Sequence, residues 1–347
     1  ISGSKNASLP ILAATLLTKK RIYLKNLPKV RDIQTMINLL KSLGSKIKFN
    51  KNNLSIDNSN QNKIFASYSL VKTMRAGILV LGPLLAKFGT AKVSLPGGCA
   101  IGTRPIDIHL KALSKLGVKY KITQGYVHAT APNGLIGNKI KFPKISVGAT
   151  ENLIIASCFA KGITHLSNCA IEPEIDDLVN FLKKAGCDIQ WTSKRSLKIV
   201  GVNEINKISY TVMFDRIEAG TYLIAAAITE GNLKIKNINP NIIKTEINIL
   251  KKIGAKIFLT KNQAHIIGNN KIKNFNIKTA PYPGFPTDLQ AQFMVLLCKA
   301  KKKSIIIEDI FENRFMHVGE LNRMGARILI HGNKAIVQGN TKFTSAE

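Results

Sequence analysis

The sequence predicts an α/β protein assembled from repeats of about seventy residues, and three observations carry that prediction. Five glycines, Gly44, Gly117, Gly186, Gly254 and Gly325, recur at spacings of 73, 69, 68 and 71 residues. Each closes an amphipathic run such as Leu178-Val-Asn-Phe-Leu-Lys-Lys-Ala-Gly186. Segments with period-two alternation follow, as in Lys46-Ile-Lys-Phe49, the pattern of a strand with one buried face. Each repeat also holds a second helical run nearly free of charge, at residues 9–17, 73–87, 151–161, 217–229 and 288–299. A helix apolar on most of its faces belongs inside a domain.

The recurring glycines suit left-handed helix caps, a backbone conformation that side chains with a Cβ resist. A strand-like segment follows each apolar helix, for example Asn232-Leu-Lys-Ile-Lys236. The repeat therefore reads helix, strand, helix, strand, strand. In the first apolar helix Pro10 is expected in the first turn, where a missing N–H does no harm. At the fifth, Thr287 reads as the N-cap with Asp288 in the first turn, where the helix dipole favours a carboxylate. Five copies are visible; the first lacks an opening strand, and the chain stops just after the fifth hairpin. Two closed groups of three need one more copy. The sequence, which opens at Ile1 without a methionine, therefore reads as part of a longer protein.

At 347 residues the chain is long enough for two domains, each with its own core. Five cysteines in no cluster point to a reducing, cytoplasmic setting and not to a disulfide framework. Cys158, Cys187 and Cys298 sit in apolar or segment-end contexts and Cys169 near a turn; no Cys/His spacing suggests a metal. Apolar runs such as residues 78–86 are too short to span a bilayer. The run at 9–17 is followed by Lys19-Lys20-Arg21, not by a small-residue cleavage site, which excludes a signal peptide.

A net charge of +31 raises the question of nucleic acid. However, the 42 Lys are spread over the whole length, beside 30 Asn and only 9 Arg, and the few aromatics show no stacking pattern. Such a drift fits compositional bias better than a binding face, so no obligatory nucleic-acid partner is expected. The same bias makes the arginines informative, because lysine serves wherever the planar fork is dispensable. Arg75, Arg104, Arg216 and Arg314 all lie in distinctive motifs.

Those motifs carry the candidate chemistry. Residues 94–109, Ser-Leu-Pro-Gly-Gly-Cys-Ala-Ile-Gly-Thr-Arg-Pro-Ile-Asp-Ile-His, form a shaped glycine loop around Cys99. Nearby backbone N–H groups and Arg104 favour a thiolate, although a small residue in a turn is the simpler reading of Cys99 alone. Lys5 and Asn6 stand at the entrance of the first apolar helix, a place suited to an anion or to an ordinary exposed lysine. Arg75 opens the second such helix and either pairs locally or faces a cleft. Lys144-Ile145-Ser146-Val147 leads into the third as a cap or an anion site. The Pro-rich run from Thr279 approaches Asp288, and Ile310-Phe-Glu-Asn-Arg314-Phe-Met-His317 holds Arg and His in one turn.

Taken together these stretches resemble the UDP-N-acetylglucosamine 1-carboxyvinyltransferase family of enolpyruvyl transferases. The matching runs include Gly-Ser-Lys-Asn-Ala, Lys-Thr-Met-Arg-Ala, Leu-Pro-Gly-Gly-Cys-Ala-Ile-Gly-Thr-Arg-Pro-Ile-Asp, Ser-Val-Gly-Ala-Thr, Asp-Arg-Ile-Glu-Ala-Gly-Thr, Pro-Gly-Phe-Pro-Thr-Asp-Leu-Gln-Ala-Gln-Phe and Phe-Glu-Asn-Arg-Phe-Met-His-Val, in family order along the whole chain. The resemblance implies two inside-out α/β domains of three repeats each, with buried helices and an active site in the cleft between them. Five of the six repeats are present. It places the first domain at residues 5–213 and the second at 1–4 with 214–347.

The implied reaction moves the enolpyruvyl group of phosphoenolpyruvate to the 3′-hydroxyl of UDP-N-acetylglucosamine, opening peptidoglycan synthesis, with no cofactor or metal and no membrane insertion. By resemblance Cys99 is the general acid of a loop and the target of fosfomycin. Lys5 and Arg104 hold the anionic groups of phosphoenolpyruvate beside Asn6, and Asp288 takes or orients the hydroxyl proton. Arg75, Arg104, Pro105, Ile106, Asp107, Ile108, Lys144, Ile145, Ser146, Val147, Asp288, Ile310 and Arg314 line the substrate site. The sister enzyme of the shikimate pathway shares the architecture but lacks the Pro-Gly-Gly-Cys loop.

Overall fold

The computed structural model describes residues 1–72, 74–97 and 106–346. Five inner helices appear where charge is scarce: Lys5–Ala14, Leu81–Phe88, Val147–Ser157, Arg216–Ile228 and Gln290–Cys298. Each leads to a strand: Ile22–Lys25, Thr90–Ser94, Ile163–Ser167, Asn232–Lys236 and Ser304–Ile307. Amphipathic outer helices follow at Arg31–Ser42, Asp107–Lys115, Pro173–Lys184, Lys244–Lys252 and His317–Arg323. Hairpins complete the repeats, the first pairing Lys46–Asn50 with Asn53–Asp57 and the last Ile328–His331 with Lys334–Val337. The five spaced glycines have φ of 105°, 92°, 101°, 116° and 93°, so the left-handed cap that predicted the period is the one that ends each outer helix.

The fold is inside-out. The helix Lys5–Ala14 buries every residue from Ala7 to Ala14, and Val147–Ser157 buries Ala149 through Ser157, polar members included. Sheets lie outside them, and in Ile22–Lys25 and Ser196–Val200 every second residue points into the core. A buried Leu or Ile in such a position stabilises the fold by about 1.5–3 kcal/mol.

Four sheets contain a further short strand that the periodicity did not reveal. Phe65–Ala66, Lys139–Lys141 and Ile277–Lys278 each run parallel to the strand after the next inner helix. Runs of two or three residues are too brief for alternation to register. The fourth, Ile208–Thr211, lies parallel to Ile22–Lys25, with Ile22 opposite Ile208, and so ties the third repeat back to the first. The remaining sheet, with Asn232–Lys236 at its edge, has three strands among the described residues.

Contacts divide the chain into two units, residues 2–97 with 106–213, and residues 214–346 with residue 1. Each has its own apolar core, one running from Ala7 to Val212 and the other from Ala219 to Val337. Residues 2–4, expected with the second domain, group with the first unit, where the Ser4 N–H donates to the Met213 carbonyl at 2.8 Å. Among the described residues no helix is long and apolar enough to cross a membrane.

Three local expectations are corrected. The first inner helix starts at Lys5, capped by Ser4 Oγ accepting from the Ala7 N–H at 3.2 Å. Pro10 therefore lies in the helix interior, because the polar residues Lys5 and Asn6 form the first turn that the apolar run did not count. The second inner helix is entered through a 3₁₀ turn at Arg75–Val80. Thr287 is not an N-cap; it begins a 3₁₀ turn, Thr287–Leu289, and its hydroxyl donates to Glu308 Oε2 at 2.8 Å instead.

Candidate active site

In the unit of residues 2–213, the expected anion-binding residues stand at helix entrances. Lys5 and Asn6 are half-buried in the first turn of their helix, and Lys5 Nζ lies 3.2 Å from Asp32 Oδ2 in the first turn of the next outer helix. With both side chains partly exposed, at 42% and 35%, this pair is weak and open to competition by a stronger anion. Arg75, half-buried, begins its 3₁₀ turn, and that turn packs on the Lys5 helix. The stem of the glycine loop meets the same place: a Cβ on Gly97 would stand 2.3 Å from the Lys72 carbonyl oxygen. Only glycine allows that approach. Cys99, Arg104 and Pro105 lie outside the described residues.

Ile106, Asp107 and Ile108 form the entrance of the outer helix Asp107–Lys115, and Lys144, Ile145, Ser146 and Val147 that of an inner one. Ser146 Oγ accepts from the Ala149 N–H at 3.4 Å. A hub brings the two entrances together. Asn152, fully buried, accepts from the Gly82 N–H at 2.8 Å through Oδ1, which turns its Nδ2 toward the Ile78 carbonyl at 3.1 Å and His109 Nδ1 at 3.2 Å. His109 is itself buried, which pushes its imidazole down to about 4. It is therefore neutral, accepts at Nδ1 and carries its proton at Nε2. Its ring edge lies against Gly148, where a Cβ would be 3.3 Å from Cε1. Thus one asparagine and one histidine fix residues 106–108 against residues 146–148.

Beneath that helix is a buried acidic group. Burial, then Glu174 and Glu172, push the Glu151 carboxyl well above its ordinary range. Burial likewise raises Asp177 to about 6, although the Tyr210 hydroxyl donates to it at 2.7 Å and the Met213 N–H at 3.1 Å.

In the unit of residues 214–346, Asp288 sits on the 3₁₀ turn that opens the inner helix Gln290–Cys298. Its Oδ1 accepts from Arg314 Nη2 at 2.8 Å, with side chains 38% and 20% exposed. The Arg314 guanidinium also lies 5.6 Å from the centre of the Phe311 ring. Two segments are held to one carboxylate: Glu308 Oε2 accepts from the Thr287 hydroxyl, and Oε1 from the Ile310 N–H at 2.9 Å. His317, one turn beyond Arg314, is pushed down by burial and then by Arg314. Arg216 is buried 3.9 Å from Glu246, with the Tyr282 ring centre 5.8 Å away.

The residues that sequence motifs did not single out are therefore Asn152, His109 and Glu308. For Glu308 the signal is the acidic pair Glu308-Asp309 closing the apolar strand Ser304-Ile-Ile-Ile307. Chemically, the first unit offers cations and helix N-termini to anionic groups. The second offers a partly exposed carboxylate paired with arginine, suited to receive a hydroxyl proton.

The family model of EPSP synthase (3-phosphoshikimate 1-carboxyvinyltransferase) matches residues 1–347. The chain is 75% identical over 347 residues to a UDP-N-acetylglucosamine 1-carboxyvinyltransferase of Pelagibacter ubique strain HTCC1062, covering all of this chain and 83% of that protein. It is 51% identical over 346 residues to the protein of the same name from Geotalea uraniireducens strain Rf4, again covering 83% of it. Among solved structures, the enolpyruvyl transferase NikO from Streptomyces tendae has a TM-score of 0.89 at 19% identity, over 99% of this chain and 82% of that one. An EPSP synthase from Acinetobacter baumannii has a TM-score of 0.71 at 16% identity, over 99% and 81%; at such identities the likeness speaks for the fold alone. On the matches that span its full length, the chain belongs to the EPSP synthase family and, within it, to the UDP-N-acetylglucosamine 1-carboxyvinyltransferases.

Proposed function

We propose that this chain transfers the enolpyruvyl group of phosphoenolpyruvate to the 3′-hydroxyl of UDP-N-acetylglucosamine, releasing phosphate, as a cytoplasmic step of peptidoglycan synthesis. The observation that carries the reading is the 75% identity, over the whole chain, to a relative bearing that activity in its name. The geometry supports it through Asp288, a partly exposed carboxylate at an inner-helix entrance with Arg314 at 2.8 Å.

Lys5 and Arg104 take the phosphate and carboxylate of phosphoenolpyruvate, with Asn6 beside them, through charge-assisted bonds. The half-exposed Lys5–Asp32 pair gives way to the more highly charged substrate. Arg75, residues 104–108 and residues 144–147 receive the nucleotide sugar, as do Asp288, Ile310 and Arg314. Asp288 accepts the 3′-hydroxyl proton while that oxygen bonds to C2 of phosphoenolpyruvate, and Cys99 gives a proton to C3. The tetrahedral phospholactoyl intermediate then returns a C3 proton to the Cys99 thiolate and breaks the C2–O bond to phosphate, which leaves with the proton taken up by Asp288 as the double bond is restored. Fixed cations neutralise the developing charge at each stage.

The test is phosphate release by the purified protein with phosphoenolpyruvate and each candidate acceptor. Release that requires UDP-N-acetylglucosamine is expected; release that requires shikimate 3-phosphate instead overturns the reading.

A further inference from the structure

We infer that Glu308 is a positioning residue for the acceptor side of this site, holding Asp288 and Arg314 in register from a single buried carboxylate; the inference rests on the transferase reading above. Glu308 is 3% exposed and follows directly on the strand Ser304–Ile307. Its Oε1 accepts from the Thr279 hydroxyl at 3.0 Å, the Ile310 N–H at 2.9 Å and the Phe311 N–H at 3.2 Å. Its Oε2 accepts from the Thr287 hydroxyl at 2.8 Å. A carboxylate has about four acceptor positions, and here the donors come from three separate segments. Thr279 in turn accepts from the Asp309 N–H at 2.9 Å, which closes the network on itself.

The placement of these donors gives the network a consequence for the reaction. Thr287 is the residue before Asp288, and Ile310 opens the loop that carries Arg314. Both partners of the 2.8 Å Asp288–Arg314 pair thus hang from opposite oxygens of one side chain. Glu308 is itself buried with both oxygens taken up by these donors, so it acts by fixing where Asp288 stands. A displacement of about 1 Å in such a group lowers turnover on the order of 100-fold.

The experiment compares steady-state kinetics of the protein with Glu308→Ala, Glu308→Gln and Thr287→Val, taking KM for each substrate separately. For Glu308→Ala, kcat falls about 100-fold and KM for UDP-N-acetylglucosamine rises, while KM for phosphoenolpyruvate, assigned to Lys5 and Arg104, stays put. Glu308→Gln restores most activity, because its oxygen keeps the three donors and the Thr287 hydroxyl turns to accept from its NH₂. Thr287→Val, which leaves three of the four bonds, shifts the same acceptor KM by less; it carries the test if Glu308→Ala does not fold. An active wild type beside variants in which only the amount of working enzyme drops, with both KM values unchanged, overturns the role of Glu308. So does a Gln variant as impaired as Ala. A wild type that transfers nothing to this acceptor overturns the transferase reading itself, and Glu308's role with it.

Discussion

Asn152→Ala is expected to destabilise the 2–213 unit by about 2–6 kcal/mol, a large fraction of the margin by which a domain stays folded. The figure follows from what the side chain satisfies. Asn152 is fully buried, and truncation removes the Oδ1 that accepts from the Gly82 N–H at 2.8 Å. It strands His109 Nδ1 as well, 3.2 Å from Asn152 Nδ2. A buried polar group without a partner costs about 1–3 kcal/mol, and two are left. The Ile78 carbonyl is a lesser loss, since it also accepts the Leu81 N–H. Urea unfolding of wild type and variant, read by the single tryptophan Trp191, gives the difference. A loss below about 1 kcal/mol refutes the hub, because the two orphaned groups alone require more. The variant also loosens residues 106–108 from residues 146–148, so KM for the nucleotide sugar rises even where the protein remains folded.

Two further predictions concern pH. His109 is held near 4 by burial against about 6.5 when unfolded. Its contribution is therefore present above about pH 6.5 and is lost as pH falls toward 4, to a total of about 3 kcal/mol. Urea midpoints of His109→Gln and wild type should converge or cross over that window, and parallel curves would contradict the assignment. Glu151 has the opposite sign. Its carboxyl is pushed up by burial and by Glu174 and Glu172, so the fold holds its proton and loses stability as pH rises above the ordinary glutamate range. Glu151→Gln should gain on wild type between pH 5 and 8; a constant difference across that range would rule out a buried neutral Glu151.

What was legible in the sequence was whatever one residue type is forced to do. Gly44, Gly117, Gly186, Gly254 and Gly325 all cap helices at positive φ, so their spacing alone exposed the repeat. The near absence of charge in the inner helices likewise followed from burial on all sides. Short strands such as Phe65–Ala66 left no trace, because pairing with a distant partner and not local alternation makes them strands. The site was legible as motifs but not as geometry. Nothing in the spacing of Asp288 and Arg314, 26 residues apart, announces a 2.8 Å ion pair. Glu308 and Asn152 belong to no motif of their own; what they do is set by partners from other segments, Thr287 for one and Gly82 for the other.

The central claim is tested most directly by the mass of the nucleotide sugar after incubation with the protein and phosphoenolpyruvate. The account predicts UDP-N-acetylglucosamine carrying one enolpyruvyl group on O3, formed in step with one phosphate. Recovery of the unmodified nucleotide sugar, with shikimate 3-phosphate converted under the same conditions, would contradict it.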